Sequence, residues 1–447
     1  MTTVAIIGAG FSGTILAVNL MRSGGPGDEL IVIEKRLELG LGQAYSTKDE
    51  THLLNIPPAG MSPFSRQPMA FAEYLEARGL LDARDAAQLE NFYAPRKLFG
   101  EYLRHIVATQ LNSGADRPRL TRVEGEAVEI TRDNEIRLVD GRNFRADRIV
   151  LAMGNLPPKP LRAAAKLDAD VYSADPWVPG AVDALAPDAN VLLIGTGLTM
   201  LDYIQSLGTR DHKGAIIAVS RHGLLPCRSL TPSYWRPFID PEQRYTVRQL
   251  VRLVRQQIAE ALRQGVTWQS VLNSFRFSTQ KLWTHFSPAE QARFIRHVRP
   301  WWDVHRHRIA PAVADRVEAM QASGRLRVIA GHLEEIQRTE KGAEVTIRRR
   351  GSKDRVTLTV QKIVNCSGPN YDFASSDEVL LKRLLEDGRI SLNRHKLGVR
   401  VGANFAAVDR DGVTSDDLFA MGPMLRGQYW EINAVAEIVA QAEAMAA

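Results

Sequence analysis

Apolar and polar positions along this chain follow two periods, and one local order of them occurs twice. Val4 to Ile7 is a short β-branched run, Gly-rich sequence follows, Ile15, Leu16, Val18 and Leu20 fall at helical spacing, and Leu30 to Ile33 is a second apolar run. Two short apolar runs flanking an amphipathic helix predict a βαβ unit with strands buried on both faces. The order returns with Asn190-Val-Leu-Leu-Ile194 as a strand, a turn and helix over Gly195 to Ser206, and a strand over Ala215 to Val219.

The intervening segments differ in character. From Leu41 to Gly114 the chain is irregular and rich in Pro, Gly, Asn and Arg, with amphipathic helical spacing near Phe71 to Arg78 and Leu98 to Leu111; such segments usually line a site. Alternation between Leu120 and Leu151, with a turn at Asp140-Gly141, predicts a small antiparallel meander ending in Arg148 to Gly154. Pro157, Pro158 and Pro160 then read as a linker. Val247, Val251, Val254, Ile258 and Leu262 share one helical face after the cap Thr246, which opens a helical, Arg-rich insertion over about 240–320. Alternation resumes from Leu326 to Val364 and ends in Asn365-Cys-Ser-Gly368, a parallel to Ala152-Met-Gly154. A strand near Leu418 to Met421, then Gly422, precedes a closing helix expected from about Ile432.

This order predicts an α/β fold of two Rossmann-type dinucleotide-binding domains with an inserted helical subdomain. The expected boundaries are 1–158 for the first part of one domain, 159–360 for the second domain with its insertion, and 361–447 for the return to the first. At 447 residues the chain is long enough for two such cores. The apolar start over Met1 to Gly8 reads as a buried strand, and no stretch approaches the roughly 20 apolar residues that span a bilayer, so a soluble cytoplasmic protein without a membrane partner is expected.

The formal charge of +6 changes the picture little, because Arg and Lys are scattered, with concentrations only at Arg293 to Arg308 and Arg348 to Arg350. No nucleic-acid module accompanies them, and binding an anionic dinucleotide accounts for the excess. Two cysteines far apart, Cys227 and Cys366, point to neither a disulfide framework nor a metal site, and both read as small packed residues.

Gly8-Ala-Gly10-Phe11-Ser12-Gly13 lies between a strand and a helix, the context in which this spacing binds a dinucleotide. Gly8 allows the tight turn, Gly10 admits the pyrophosphate, and Gly13 lets helix and strand approach. Glu34 ends the next strand, where a carboxylate meets ribose hydroxyls. Gly154 closes the matching strand end. Gly195-Thr-Gly197-Leu198-Thr199-Met200 repeats the logic with Met200 in the third glycine's place, which should widen the packing there. Its following strand ends in Ser220-Arg221-His222 rather than an acid, and Arg221 can pair with a 2′-phosphate, which favours NADPH over NADH.

These motifs, with Asn55 in Leu-Leu-Asn-Ile-Pro, Arg96 in Pro-Arg-Lys-Leu-Phe-Gly-Glu-Tyr-Leu, Ser220 to Pro226 and Trp430-Glu431, resemble the FAD/NAD(P)-binding proteins typified by bacterial YdhS across almost the whole chain. More distantly the layout is similar to the two-dinucleotide flavin monooxygenases, including amino-acid N-hydroxylases. The resemblance implies FAD on the first turn and NADPH on the second, with flavin reduction and oxygen transfer to nitrogen or sulfur of a small-molecule substrate; a flavin dehydrogenase or oxidase and a flavin-bound redox sensor are the alternatives. It places Asn55 beside flavin and nicotinamide, although a buried asparagine serving loop backbone reads equally well. Arg96 carries two readings, a clamp on phosphate or carboxylate and a structural ion pair tying loop to helix.

Three features remain. Trp301-Trp-Asp-Val-His305-Arg-His307-Arg308 reads as a substrate wall or an anion holder, and His305 with His307 lacks a third metal ligand. Asp202 reads as solvated, packing or functional. Gly422 and the closing helix should face the flavin, with Trp430 and Glu431 covering its ring, or forming a hydrophobic staple in which Glu431 caps the helix. The reading leaves the oligomeric state open, including a homo-oligomer.

Overall fold

A computed structural model describes residues 1–36, 38–111, 116–178, 185–231 and 233–447. The N-terminal half supplies β1 (Thr3–Ile7), β2 (Glu29–Glu34), β3 (Arg119–Glu124), β4 (Ala127–Ile130), β5 (Glu135–Leu138), β6 (Asn143–Arg145) and β7 (Arg148–Leu151). The second unit supplies β8 (Tyr172–Ser173), β9 (Val191–Ile194), β10 (Ile216–Ser220), β11 (Leu326–Thr339), β12 (Gly342–Arg349), β13 (Arg355–Val360) and β14 (Lys362–Asn365). The chain ends through β15 (Ala406–Val408) and β16 (Thr414–Ala420).

The first sheet runs β15-β16-β7-β1-β2-β3, parallel except at its β15 edge, with Ala5 opposite both Ile31 and Ile149. Alternation within each strand feeds two cores. Ile6 and Val32 pack with Ile15 and Val18 of the helix Phe11–Ser23, while Ala5, Ile7, Ile31 and Ile33 pack with Phe373 and Leu381 on the other face. The closing helix Val435–Ala446 lies on the first helix through Val435, Ile438 and Val439, so both chain ends build this domain.

The second sheet repeats the plan. Its order is β13-β12-β11-β10-β9-β14-β8, with β9 flanked by β10 on one side and β14 on the other, as β1 is flanked by β2 and β7. In each unit the central strand precedes a glycine-lined turn and helix, and the return strand comes back beside it after antiparallel strands, β4-β5-β6 in the first and β12-β13 in the second. The expected two-Rossmann architecture is what the chain forms.

Three details differ from the sequence reading. Arg119–Glu124 belongs to the parallel sheet beside β2 rather than to the meander, because its partner is the exposed edge of β2. Lys362–Asn365 pairs with β9 inside the second sheet, so the chain leaves that unit after Asn365 and not at 361. The closing helix starts at Val435, three residues after the expected Ile432, because Glu431 adopts a left-handed φ of 70° that interrupts it. The end of the irregular stretch, residues 112–115, lies outside the described residues.

The insertion is helical as expected, opening with Val247–Arg263 under a capping box in which Thr246 Oγ1 accepts from Gln249 N–H and the Gln249 side chain accepts from Thr246 N–H. No described helix is long and apolar enough to cross a membrane.

Candidate functional site

Both glycine turns are built alike. Gly8 has φ +98° and donates its N–H to Ile33 O at 2.8 Å; Gly195 has φ +113° and donates to Val219 O at 2.8 Å. A Cβ on Gly8 would stand 2.5 Å from the carbonyl oxygen of Ala152 at the end of β7, and one on Gly195 would run into the carbonyl of Cys366 at the end of β14. Each turn therefore presses its first glycine against the return strand of its own sheet, and only glycine has both the space and the dihedral freedom. The parallel between Ala152-Met-Gly154 and Asn365-Cys-Ser-Gly368 has this physical cause.

The helices that follow start at Phe11 and Leu198, and their N-caps, Gly10 and Gly197, provide no side-chain cap. The first amides of each helix are thus free to donate to an anion at the positive end of the helix dipole. Gly13 seats the first helix because a Cβ there would strike Gly8 O. At the matching position Met200 is fully buried in the second core, so that helix meets its strand through a side chain.

A cavity of about 340 Å3 opens at the first turn, lined by Gly8, Gly10, Phe11, Ser12, Glu34 and Gly154 among others. Glu34 is held in place, its carboxylate accepting from Ala9 N–H at 2.6 Å. Gly154 has φ +68°, and a Cβ added to it would meet no atom within 4 Å, so the return-strand end is open. Asn433, Val435 and Ile438 bring the closing helix to this cavity, as does Pro423. Gly422 itself packs beneath the lining, where a Cβ would stand 2.5 Å from Ser12 Oγ and its N–H donates to Gln441 Oε1 at 2.9 Å. Open glycine backbone, uncapped amides and a fixed carboxylate together suit an adenine dinucleotide.

Near the second turn a smaller cleft of about 150 Å3 is lined by Thr199 of the following helix, Gly368, Trp177 and Arg96, while Gly195, Gly197 and Leu198 stand outside its lining. This cleft and the first cavity adjoin, sharing Gln43, Ala44, Asn155 and Leu156 in their walls. None of those four residues stands out in the sequence; the φ values of +92° at Gly40 and +50° at Gly42 are the local constraint behind that loop, and a dense glycine pattern is its one signal.

Arg96 stands at the cleft but is paired. Its guanidinium donates to Asp202 Oδ2 at 2.8 Å and to Leu53 O at 3.2 Å, with the side chains only 15% and 9% exposed. Burial raises the Asp202 carboxyl above its ordinary range, and the adjacent Arg96 and His52 oppose that rise. This ion pair joins the units, and Arg96 also lines the cleft. Beside it His52 Nε2 meets Ser206 Oγ at 2.8 Å, and Ser206 Oγ donates to Asp49 Oδ2 at 2.6 Å. Asn55 lies half-buried in a bend, outside the linings of both cavities.

Past β10 the loop bearing Arg221 is braced: Thr196 Oγ1 donates to Leu224 O at 2.6 Å, and Ser220 Oγ accepts from Gly223 N–H at 3.0 Å. Arg221 is exposed there, and Arg350 reaches the neighbouring His222.

Trp430 does not lie on the dinucleotide cavity. It is buried against Trp283 at 4.7 Å between ring centroids and Phe294 at 5.2 Å, with Arg426 over its face at 4.9 Å. Nor does Glu431 cap the closing helix. Its carboxylate accepts from Trp302 Nε1 at 2.9 Å and pairs with Arg306 Nε at 3.1 Å, which fastens the insertion to the C-terminal segment. Burial holds His307 below its ordinary 6.5, so it is neutral at pH 7 and Arg306 is the countercharge. Trp301, Trp302 and His305 line a separate apolar cavity, whereas Arg308 clamps Gln269 and Asn273 at 2.6 and 2.7 Å. Among the described residues no group of three or more His, Cys, Asp or Glu is placed to hold a metal ion. Burial raises both cysteine thiols, Cys227 half-buried and Cys366 fully, so neither is a thiolate at neutral pH.

Residues 5–156 match a family described as FAD-NAD(P)-binding. No curated protein matches the chain in sequence. Among solved structures, the ornithine hydroxylase PvdA from Pseudomonas aeruginosa is 16% identical with a TM-score of 0.64, and the L-lysine 6-monooxygenase from Pseudomonas syringae is 16% identical with a TM-score of 0.66. The ornithine N-hydroxylase of Kutzneria sp. 744, in a complex named for reduced FAD, NADP+ and L-ornithine, is 15% identical with a TM-score of 0.66. Each superposition covers 100% of this chain and 98% of the other. The chain has the two-dinucleotide-domain fold of these flavoenzymes, with an FAD-NAD(P)-binding pattern over its first third.

Proposed function

We propose that the chain is a YdhS-like, NADPH-dependent FAD monooxygenase that oxygenates nitrogen or sulfur of a small molecule. The observation that carries this reading is the pair of equivalent uncapped glycine turns, with adjoining cavities beside them that share four wall residues. The fold shared with an ornithine hydroxylase, an ornithine N-hydroxylase and an L-lysine 6-monooxygenase supports it.

In this reading Gly8, Gly10, Phe11, Ser12, Gly13, Glu34 and Gly154 hold FAD. Gly195, Gly197, Leu198 and Thr199 hold the NADPH diphosphate, and Arg221 its 2′-phosphate. Bound FAD supplies hydride acceptance and oxygen activation, which no side chain provides. The protein's own contribution is position. Arg96 and Asp202, with the His52-Ser206-Asp49 set, fix the second unit against the first and so set the separation of the two turns. Gln43, Ala44, Asn155 and Leu156 stand in the walls of both cavities, where the two nucleotides would meet. Asn55 has no assigned role here.

The test is the fate of NADPH electrons in the presence of candidate amines and sulfides. Oxygen from O2 appearing in an organic product supports the reading; NADPH consumption fully matched by hydrogen peroxide with every candidate replaces it by an oxidase.

A further inference from the structure

The helical insertion forms an apolar cavity of about 700 Å3 that is open to solvent on one side, within the range of about 300–1,000 Å3 typical of small-molecule sites. Five of the chain's seven tryptophans, Trp268, Trp283, Trp301, Trp302 and Trp430, stand on its wall. The helix Val247–Arg263 turns Val251, Val254 and Ile258 toward it. Leaving this much apolar wall exposed to water is unfavourable unless something covers it.

The titratable residues on this wall are Arg255, His297 and His305, and no carboxylate is among them. His305 is engaged, its Nδ1 lying 2.7 Å from Trp301 O. Arg255 and His297 are exposed, which puts them at the rim, and Arg255 with Val251 also borders a shallow hollow on the outer face. Glu260, the one acid of that helix, pairs with Arg263 toward its far end. The outward side of the helix is polar, with Arg248, Arg252 and Gln256 exposed, and its apolar residues Val251, Val254 and Ile258 turn into the concave cavity rather than onto a flat face. That arrangement favours a small ligand over a bilayer or a second chain.

We propose that this cavity binds a lipophilic carboxylate. The aliphatic or aromatic body fills the tryptophan-lined space, and the carboxylate accepts hydrogen bonds from Arg255 and His297 at the rim. The proposal is independent of the flavin reading, since binding is measured without turnover.

Dodecanoate, dodecanol and dodecylammonium, each below its aggregation concentration, are titrated into the full chain as purified with its cofactor. Tryptophan fluorescence and calorimetry report binding. The expected result is saturable binding of one dodecanoate per chain, with dodecylammonium at least roughly 10-fold weaker, as for loss of a charged hydrogen bond. Arg255→Glu, on an exposed side chain, should weaken dodecanoate by at least roughly 10-fold and leave the thermal midpoint and flavin content unchanged. Val254→Trp should displace all three probes. Equal binding of the three probes, or no binding, overturns the proposal. So does binding confined to phosphatidylglycerol vesicles, which assigns the face to a membrane, or a concentration-dependent dimer broken by Val254→Trp, which assigns it to a second copy.

Discussion

Gly197→Ala separates a glycine kept for folding from one kept for a ligand. Its φ of −89° and ψ of −164° suit any residue, and a Cβ there has no atom within 4 Å. Alanine is a poorer N-cap than glycine, a loss of about 0.5–1 kcal/mol, while stiffening the unfolded chain returns about 0.4–1 kcal/mol. The two effects nearly cancel, so the unfolding midpoint should stay within a degree or two. The open space is where the diphosphate must approach, and a methyl inserted into a fitted contact costs about 1–3 kcal/mol, or roughly 5- to 150-fold in affinity. Titration of NADP+ by calorimetry reads this directly, with FAD content as the internal control. Unchanged NADP+ affinity in a stably folded Gly197→Ala protein would refute the second turn as a nucleotide site. By contrast, Gly195→Ala must force φ +113° and meet the Cys366 carbonyl, so it should lower stability as well as affinity.

Three other outcomes are expected. Asp202→Ala strands the Arg96 cation in a site where it is only 15% exposed and should cost about 3–5 kcal/mol in chemical denaturation, most of it recovered by Arg96→Met with Asp202→Leu. Arg221→Ala should weaken NADPH by about 1.5–3 kcal/mol and NADH hardly at all, and equal losses for both end the case for a 2′-phosphate contact. His307 is held below its ordinary 6.5 by burial, so the stability it contributes is complete above that pH and is lost as pH falls through 6.5 toward its folded value. Denaturation midpoints measured at decreasing pH should show a decline of at most about 1.4 kcal/mol per pH unit that His307→Gln removes.

Much of the architecture was legible because it is local. β1 and β9 are short apolar runs, each followed by a glycine turn and a helix with one apolar face, and those patterns are set by neighbours in sequence. The capping box at Thr246 was visible for the same reason. What escaped depends on distant partners. Nothing around Trp430 distinguishes a flavin cover from a residue stacked on Trp283, 147 positions away in the chain. Glu431 has a capping residue's position but answers to Trp302 and Arg306. The two readings of Arg96 differ only in whether Asp202 is near, which the fold decides. Lys362–Asn365 alternates like any strand, and its sheet is settled by pairing with β9. The apolar cavity in the insertion was half seen, as a wall of Trp301, Trp302 and His305 without the helix that faces it.

The central claim is that two nucleotides sit on the paired turns close enough for a hydride to pass between them. The direct measurement is anaerobic addition of one equivalent of NADPH to the FAD-loaded protein while the visible flavin absorbance is followed. The account predicts stoichiometric bleaching with formation of NADP+. A protein that takes up no flavin, or that binds both nucleotides and leaves the flavin oxidised, contradicts it.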